Sequence, residues 1–279
     1  MRIVRSIKNI REAVSRVRSR GFKVALVPTM GYLHDGHLSL VRIARRRADY
    51  VVVSIFINPT QFGPREDLVR YPRNMRQDRA LLTKAGVDIL FYPSVRALYP
   101  EGYRTYVEVT GLSRVLCGSS RPGHFRGVAT IVLKLFNIIK PDLAVFGRKD
   151  FQQSVIIRRM VRDLDVAVRI ITGPTVREKS GLAMSSRNDY LTAVLRRDAA
   201  IIYQALLRVR TRFRKGETAD PKSLTGMIKK MIGNRGGRVD YVSVVDPDRL
   251  ASVKKAKRGD LIAVAAVFGK TRLIDNIIL

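Results

Sequence analysis

The sequence predicts an α/β protein: a doubly wound parallel sheet over residues 1–175, then a smaller α+β domain over 176–279. Three observations carry this. Short, valine-rich apolar runs alternate with longer segments of helical period, the grammar of a parallel sheet with crossover helices. The first such run passes directly into a glycine turn and a helix start, Val27–Leu40 (VPTMGYLHDGHLSL). After Gly173-Pro174 the pattern changes to a polar loop, two helices and three consecutive strand-like runs.

In order, Ile3–Arg20 places Ile7, Ile10, Val14 and Val17 on one helical face. Lys23–Val27 is a buried strand, and Ser39–Arg47 continues the helix that follows it. Tyr50–Ile57 is a second strand that ends in Asn58-Pro59-Thr60-Gln61-Phe62-Gly63-Pro64, a segment whose prolines and glycine stop a helix. Asn74 caps a helix to Ala85, and Asp88–Tyr92 is a third strand. Thr105–Val109 reads as a further strand and Gly118–Gly127 as a mobile basic loop before the apolar helix Val128–Ile139. Asp142–Phe146, helix Phe151–Asp163 and Val166–Ile171 complete five or six parallel strands. In the second part, Arg177–Asn188 is a loop and Thr192 caps one long helix to Arg214. A helix follows over Pro221–Ile232, then strands at Arg238–Val245, Leu261–Val267 and Arg272–Ile277.

An apolar fraction of 46% over 279 residues supports a packed core. The single cysteine, Cys117, excludes an intramolecular disulfide and fits a reducing compartment. The N-terminus is too charged for a secretory signal, and no apolar run approaches the ~20 residues of a membrane helix. The expectation is a cytoplasmic protein with no membrane partner. The net charge of +30 is spread over every segment rather than gathered in a tail or patch. It reads as a solvated surface, so no specific nucleic-acid partner is expected. It should still draw in anionic substrates and hold RNA at low salt.

Ligands of open α/β sheets bind beyond the carboxyl ends of the strands. There the first strand delivers Met30, His34 and His37, the second Asn58 and Gln61, the fourth Lys149, Asp150 and Gln153. The last leads to Ser185, Ser186 and Arg187. Free N–H groups at the helix start near Gly36 favour an anion. Two imidazoles, a lysine, an arginine and two hydroxyls suit a polyphosphate, and fixed charge is how phosphoryl and adenylyl transfer are catalysed. GxxxxGK[ST] and GxGxxG are both absent. A zinc pair is disfavoured, since no Cys or Glu stands at ligand spacing. Each residue also has a plainer reading: the histidines as loop surface, Lys149 as solvated, Asn58 and Gln61 as partners of loop backbone, Ser185-Ser186-Arg187 as a cap.

Five segments, in order, resemble the pantothenate synthetase (pantoate–β-alanine ligase) family: PTMGYLHDGH, FINPTQFGPREDL with YPR, RPGHFRGVAT, KLFNIIKPDLAVFGRKDFQQ and REKSGLAMSSRN. The HxGH element alone is shared with other nucleotidyltransferases and class I aminoacyl-tRNA synthetases, whereas NPTQF and GLAMSSRN point to this ligase. The resemblance implies a Rossmann-like N-terminal domain, a small C-terminal lid and a homodimer. It implies that ATP and pantoate form an enzyme-bound pantoyl adenylate with loss of pyrophosphate, and that β-alanine then displaces AMP. His34 and His37 would bind the phosphates, Lys149 would bridge phosphate and pantoate, and Ser185, Ser186 and Arg187 would hold the leaving phosphates. Met30, Asn58, Gln61 and Gln153 would meet pantoate or the adenylate, and Asp150 the ribose. Gly147, Val176 and Met184 would complete the nucleotide site. Arg121 would close over it from the basic loop. Mg²⁺ would arrive on ATP, with Asp78 as a water-mediated partner. Two positions depart from the family pattern: Arg148 stands for a usual Glu and Ser180 for a usual Asp. The rival readings are a nucleotidyltransferase with another acceptor, an RNA-binding module on the same scaffold, and an inactive homologue.

Overall fold

The computed structural model describes residues 1–64 and 66–279. Arg65, within the FINPTQFGPREDL segment, lies outside the described residues. The first sheet has six parallel strands: β1 (Arg2–Val4), β2 (Val24–Thr29), β3 (Tyr50–Ile55), β4 (Ile89–Phe91), β5 (Leu143–Gly147) and β6 (Arg169–Gly173). Their order is β1-β4-β3-β2-β5-β6. The helices α1 (Ile7–Arg18), α2 (Asp35–Arg45), α3 (Met75–Lys84), α4 (Val95–Leu98), α5 (Cys117–Ser120), α6 (His124–Ile139) and α7 (Phe151–Asp163) lie between them in sequence. Alternation along the strands builds two cores. Leu26, Val52, Ile89 and Phe146 pack with α1, α6 and α7, while Ala25, Val27, Val53 and Val145 pack with α2 and α3.

The crevice follows from the register. β2 pairs with β3 through Thr29↔Ile55 but with β5 only at Ala25↔Leu143 and Leu26↔Ala144. Pro28, with no N–H to give a ladder, lies beyond the last pair with β5. β2 and β5 thus part at their carboxyl ends, where the strand order changes direction, the switch point at which ligands enter such sheets.

The second part contains α8 (Ala193–Ala199), α9 (Ile201–Arg214) and α10 (Pro221–Gly233), then an antiparallel sheet of β7 (Arg238–Val245), β8 (Leu261–Phe268) and β9 (Thr271–Ile278). One sheet face buries Val264, Phe268 and Ile277 against Ile202, Leu206 and Ile228 of the helices. Leu261 and Ala263 on the other face pack on Phe151 and Val155 of α7. This second contact brings β9 against the turn between β5 and α7.

The architecture matches the sequence expectation, with local corrections. Ile3–Arg20 is not one helix: Arg2–Val4 pairs in parallel with β4, and α1 starts after the Ser6 cap. No strand forms at Thr105–Val109; the Val107 N–H donates to the Thr130 hydroxyl at 2.9 Å instead of to a ladder. The loop expected over Gly118–Gly127 is partly helical, with α5 and the first turn of α6 inside it. Gly127 is required there, because a Cβ would stand 2.4 Å from the Thr60 carbonyl oxygen. The helix expected over Thr192–Arg214 is interrupted at Ala200 between α8 and α9.

Candidate active site

The loop from β2 to α2 is shaped by a buried carboxylate. Gly31 has φ +81 and Tyr32 φ 51. The next two amides, Tyr32 and Leu33, donate to the two oxygens of Asp78 at 2.8 and 2.7 Å. Burial pushes the Asp78 carboxyl up, against the pull of these two amides. The loop delivers His34 as the cap of α2. Its Nδ1 accepts from the Gly36 N–H at 3.1 Å, and the His34 N–H donates to Nδ1 of His37 at 3.3 Å. An Nδ1 that accepts leaves the proton of a neutral imidazole on Nε2. Both rings, with centroids 4.1 Å apart, are therefore fixed as Nε2–H donors. Burial, with Lys149 nearby, pushes His34 down to about 4. Burial, then His34 and Lys149, holds His37 well below the ordinary imidazole range. Both are uncharged donors at neutral pH.

Opposite them, Asn58 is buried and its side chain is fully engaged. Its amide nitrogen donates to Gln61 Oε1 at 3.2 Å and to the Gly127 carbonyl at 3.0 Å, and its oxygen accepts from the Thr60 hydroxyl at 2.9 Å. Asn58 therefore aims Gln61, whose Nε2 points to the Met30 sulfur at 3.0 Å. Ser185 caps a short turn over Ser186–Tyr190 by accepting from the Arg187 N–H, and Ser186 donates to the Tyr32 carbonyl at 3.1 Å, lacing this segment to the histidine loop.

The cations at the other end carry carboxylate partners. Arg187 donates to both oxygens of Asp67 at 2.8 and 2.9 Å, and Arg121 to both oxygens of Glu66 at 2.5 and 2.7 Å. Burial raises both carboxyls, but the guanidinium beside each more than offsets it and the net shift is downward. His124 faces Arg121: its Nδ1 lies 2.8 Å from the Gln61 carbonyl, an obligate acceptor, so the proton sits on Nδ1 and Nε2 accepts from Arg121 at 3.1 Å. Burial, then Arg121, pushes His124 down to about 4.

The histidines, the glutamine, the serines and the arginines described above border one cavity of about 230 Å³ at the switch point. It is lined by Met30, His34, His37, Asn58, Gln61, Arg121, Gly147, Lys149, Asp150, Gln153, Val176, Met184, Ser185, Ser186 and Arg187. Every candidate residue from the sequence is there except Asp78, which is engaged by the loop amides behind it. Tyr71 and His124 line the same cavity and escaped the residue-by-residue reading, as did Glu66 and Asp67, the partners of its arginines. His124 and Tyr71 stand within or beside the quoted segments RPGHFRGVAT and YPR, but no spacing rule ties them to the histidine pair. The two departures do not reach the cavity: Arg148 and Ser180 are exposed. Among the described residues no group of three or more His, Cys, Asp or Glu is placed to hold a metal, and no helix is long and apolar enough to cross a membrane.

The family model described as pantoate-beta-alanine ligase matches residues 2–278. The chain belongs to this family. It is 52% identical over 279 residues to the pantothenate synthetase of Moorella thermoacetica, covering 100% of this chain and 99% of that one. The crystal structure of pantothenate synthetase from Thermus thermophilus superposes with TM-score 0.94 at 46% identity, over 99% of both chains. The pantoate-beta-alanine ligase of Francisella tularensis, solved in complex with beta-gamma ATP and beta-alanine, gives 0.85 at 37% identity over 100% of this chain and 97% of that one. Membership spans both sheets, so the strand-rich C-terminal part belongs to the family fold as much as the HxGH region does.

Proposed function

We propose that this chain joins pantoate to β-alanine with cleavage of ATP to AMP and pyrophosphate, through an enzyme-bound pantoyl adenylate. In the first step a pantoate carboxylate oxygen attacks the α-phosphorus of ATP and the bond to pyrophosphate breaks. In the second the β-alanine amine attacks the acyl carbon, AMP leaves, and the amine loses its proton to solvent. The carboxylate is already ionised at neutral pH, so the first step needs no base. What it needs is alignment of two anions and stabilisation of charge as the pyrophosphate departs.

The supporting observation is that two imidazoles, locked as neutral Nε2–H donors, share one cavity with Lys149, Arg187 and the two glutamines. On this reading His34, His37 and Lys149 hold the phosphates, and Ser185, Ser186 and Arg187 take the leaving pair. Gln61, set by Asn58, and Gln153 orient pantoate beside Met30. Asp150 meets the ribose, Gly147, Val176 and Met184 flank the nucleotide, and Arg121 shields the anhydride from water. Asp150 is the one carboxylate among the described lining residues. Magnesium, which would neutralise phosphate charge, would thus be held chiefly by phosphate oxygens and water, as is usual for this ion. Residues 1–175 would supply the nucleotide and pantoate surfaces and 176–279 the lid, in a cytoplasmic homodimer; the dimer rests on the resemblance and is checked by sedimentation. Pantoate-dependent exchange of labelled pyrophosphate into ATP, without β-alanine, tests the intermediate. Exchange that needs pantoate supports it, and net synthesis with no exchange under any pyrophosphate concentration contradicts it.

A further inference from the structure

The turn that presents Lys149 lacks a side-chain cap of its own. It runs over Arg148–Asp150, between β5 and α7, and neither Gly147 before it nor Asp150 at the start of α7 makes a capping bond. Its support comes from the small sheet. Asn276 on β9, buried, donates through Nδ2 to the Arg148 carbonyl at 3.0 Å and to the Lys149 carbonyl at 2.9 Å. Both partners are acceptors, so the amide must turn its nitrogen to them. Asn276 is itself held. Its N–H donates to Asp275 at 2.8 Å, and that carboxylate accepts from both terminal nitrogens of Arg177 at 2.5 and 2.9 Å. The result is a chain of bonds from the second part of the molecule to the backbone of the cavity's lysine.

We infer that Asn276 is a positioning residue, fixing the Arg148–Lys149 backbone from β9 so that the Lys149 ammonium stays on the phosphates. The inference rests on the role proposed above for Lys149. A small rotation of the Lys149 backbone is amplified along its four-carbon stem, and a misplacement of about 1 Å at a reacting centre costs about 100-fold in rate. The side chain that makes this contact lies 127 residues from Lys149 in sequence, so no local pattern in the GRKD segment announces it.

The test is a double-mutant cycle on the full chain: Asn276→Ala and Lys149→Ala, singly and together, with kcat, KM for ATP and thermal midpoint measured for each. Asn276→Ala is expected to lower kcat by about 10- to 100-fold with a much smaller change in KM for ATP. In the Lys149→Ala background the same change should cost less than about threefold, because the group it acts through is gone. Asn276→Asp, equal in size but presenting oxygen to two carbonyls, should fall at least as far as Asn276→Ala. If Asn276→Ala does not fold, Asn276→Ser, which keeps one donor, enters the cycle with a smaller expected drop. Losses that simply multiply would overturn the inference and make Asn276 a structural tie alone. Full turnover by Lys149→Ala would instead remove the role proposed for Lys149, and the inference with it.

Discussion

The two ends of the crevice hold their hydrogen-bond donors in different ways. At one end, His34 and His37 are neutral and are fixed by backbone N–H groups within three residues of themselves. At the other, Arg121 and Arg187 are permanently charged and are held by Glu66 and Asp67, which lie 55 and 120 residues away in sequence. The first end is built by local geometry and does not depend on ionic strength. The second is built by partly buried ion pairs, in which a phosphate, on the proposed function, would have to compete with a carboxylate already in place. On the proposed function, anion recognition at this site would combine a preformed dipolar part with an exchangeable charged part.

The comparison can be broken in several ways. The largest effect should come from the preformed end: His37→Ala removes one fixed donor and should lower kcat for AMP formation by about 100- to 1000-fold. The Glu66 and Asp67 pairs should survive in its structure. Next is Gly127→Ala, whose Cβ would drive into the Thr60–Gln61 backbone. The Gln61 carbonyl also accepts from Arg121 and His124, so the strain should fall on the arginine end. A loss of about 1–3 kcal/mol in unfolding free energy by denaturant titration, with raised KM values, is expected.

A smaller effect separates the ends by charge. Asp67→Asn frees Arg187 from its competitor and should lower KM for ATP by about two- to fivefold, the strength of a partly exposed ion pair. Steady-state titration at low and high salt reads this, and an unchanged or raised KM would mean that Asp67 serves to hold Arg187 in place. The smallest effect is on pH. With His34 at about 4 in the folded protein, kcat/KM for ATP should show no inflection near the ordinary value of 6.5. Stability behaves differently. Below 6.5 the unfolded chain takes up protons that His34 and His124, both at about 4 when folded, still refuse. Stability should therefore be level above the unfolded value and fall as pH drops from 6.5 toward 4. Thermal melts across that range, repeated with His124→Asn, check the sign.

The same contrast explains what the sequence made legible. The parallel sheet, the switch-point crevice and the histidine end follow from patterns a few residues long: alternating apolar runs, a glycine turn, HxGH at a helix start. Converging strand ends then located Lys149 and the Ser185–Arg187 segment without any measured distance. What stayed hidden depends on pairs far apart in the chain. His124 and Tyr71 enter the cavity through packing of α6 and the segment after Asp67, and Asn276 reaches Lys149 from another sheet. The bonds from the Tyr32 and Leu33 amides to Asp78 were equally hidden, because a buried carboxylate bonded to two amides looks in sequence like any helical acid. The expected loop at Gly118–Gly127 failed for a related reason. Its glycines suggest freedom, whereas Gly127 is small to admit the Thr60 carbonyl.

The central claim is that this crevice adenylates one substrate and passes the acyl group to another. The most direct measurement is AMP formation from ATP by the purified chain, with pantoate and β-alanine supplied together and each omitted in turn. The account predicts AMP only when both are present, matched by an equal amount of pantothenate and cut by about 100- to 1000-fold, to a residual but measurable rate, by Lys149→Ala. AMP formation indifferent to pantoate in folded protein would contradict it.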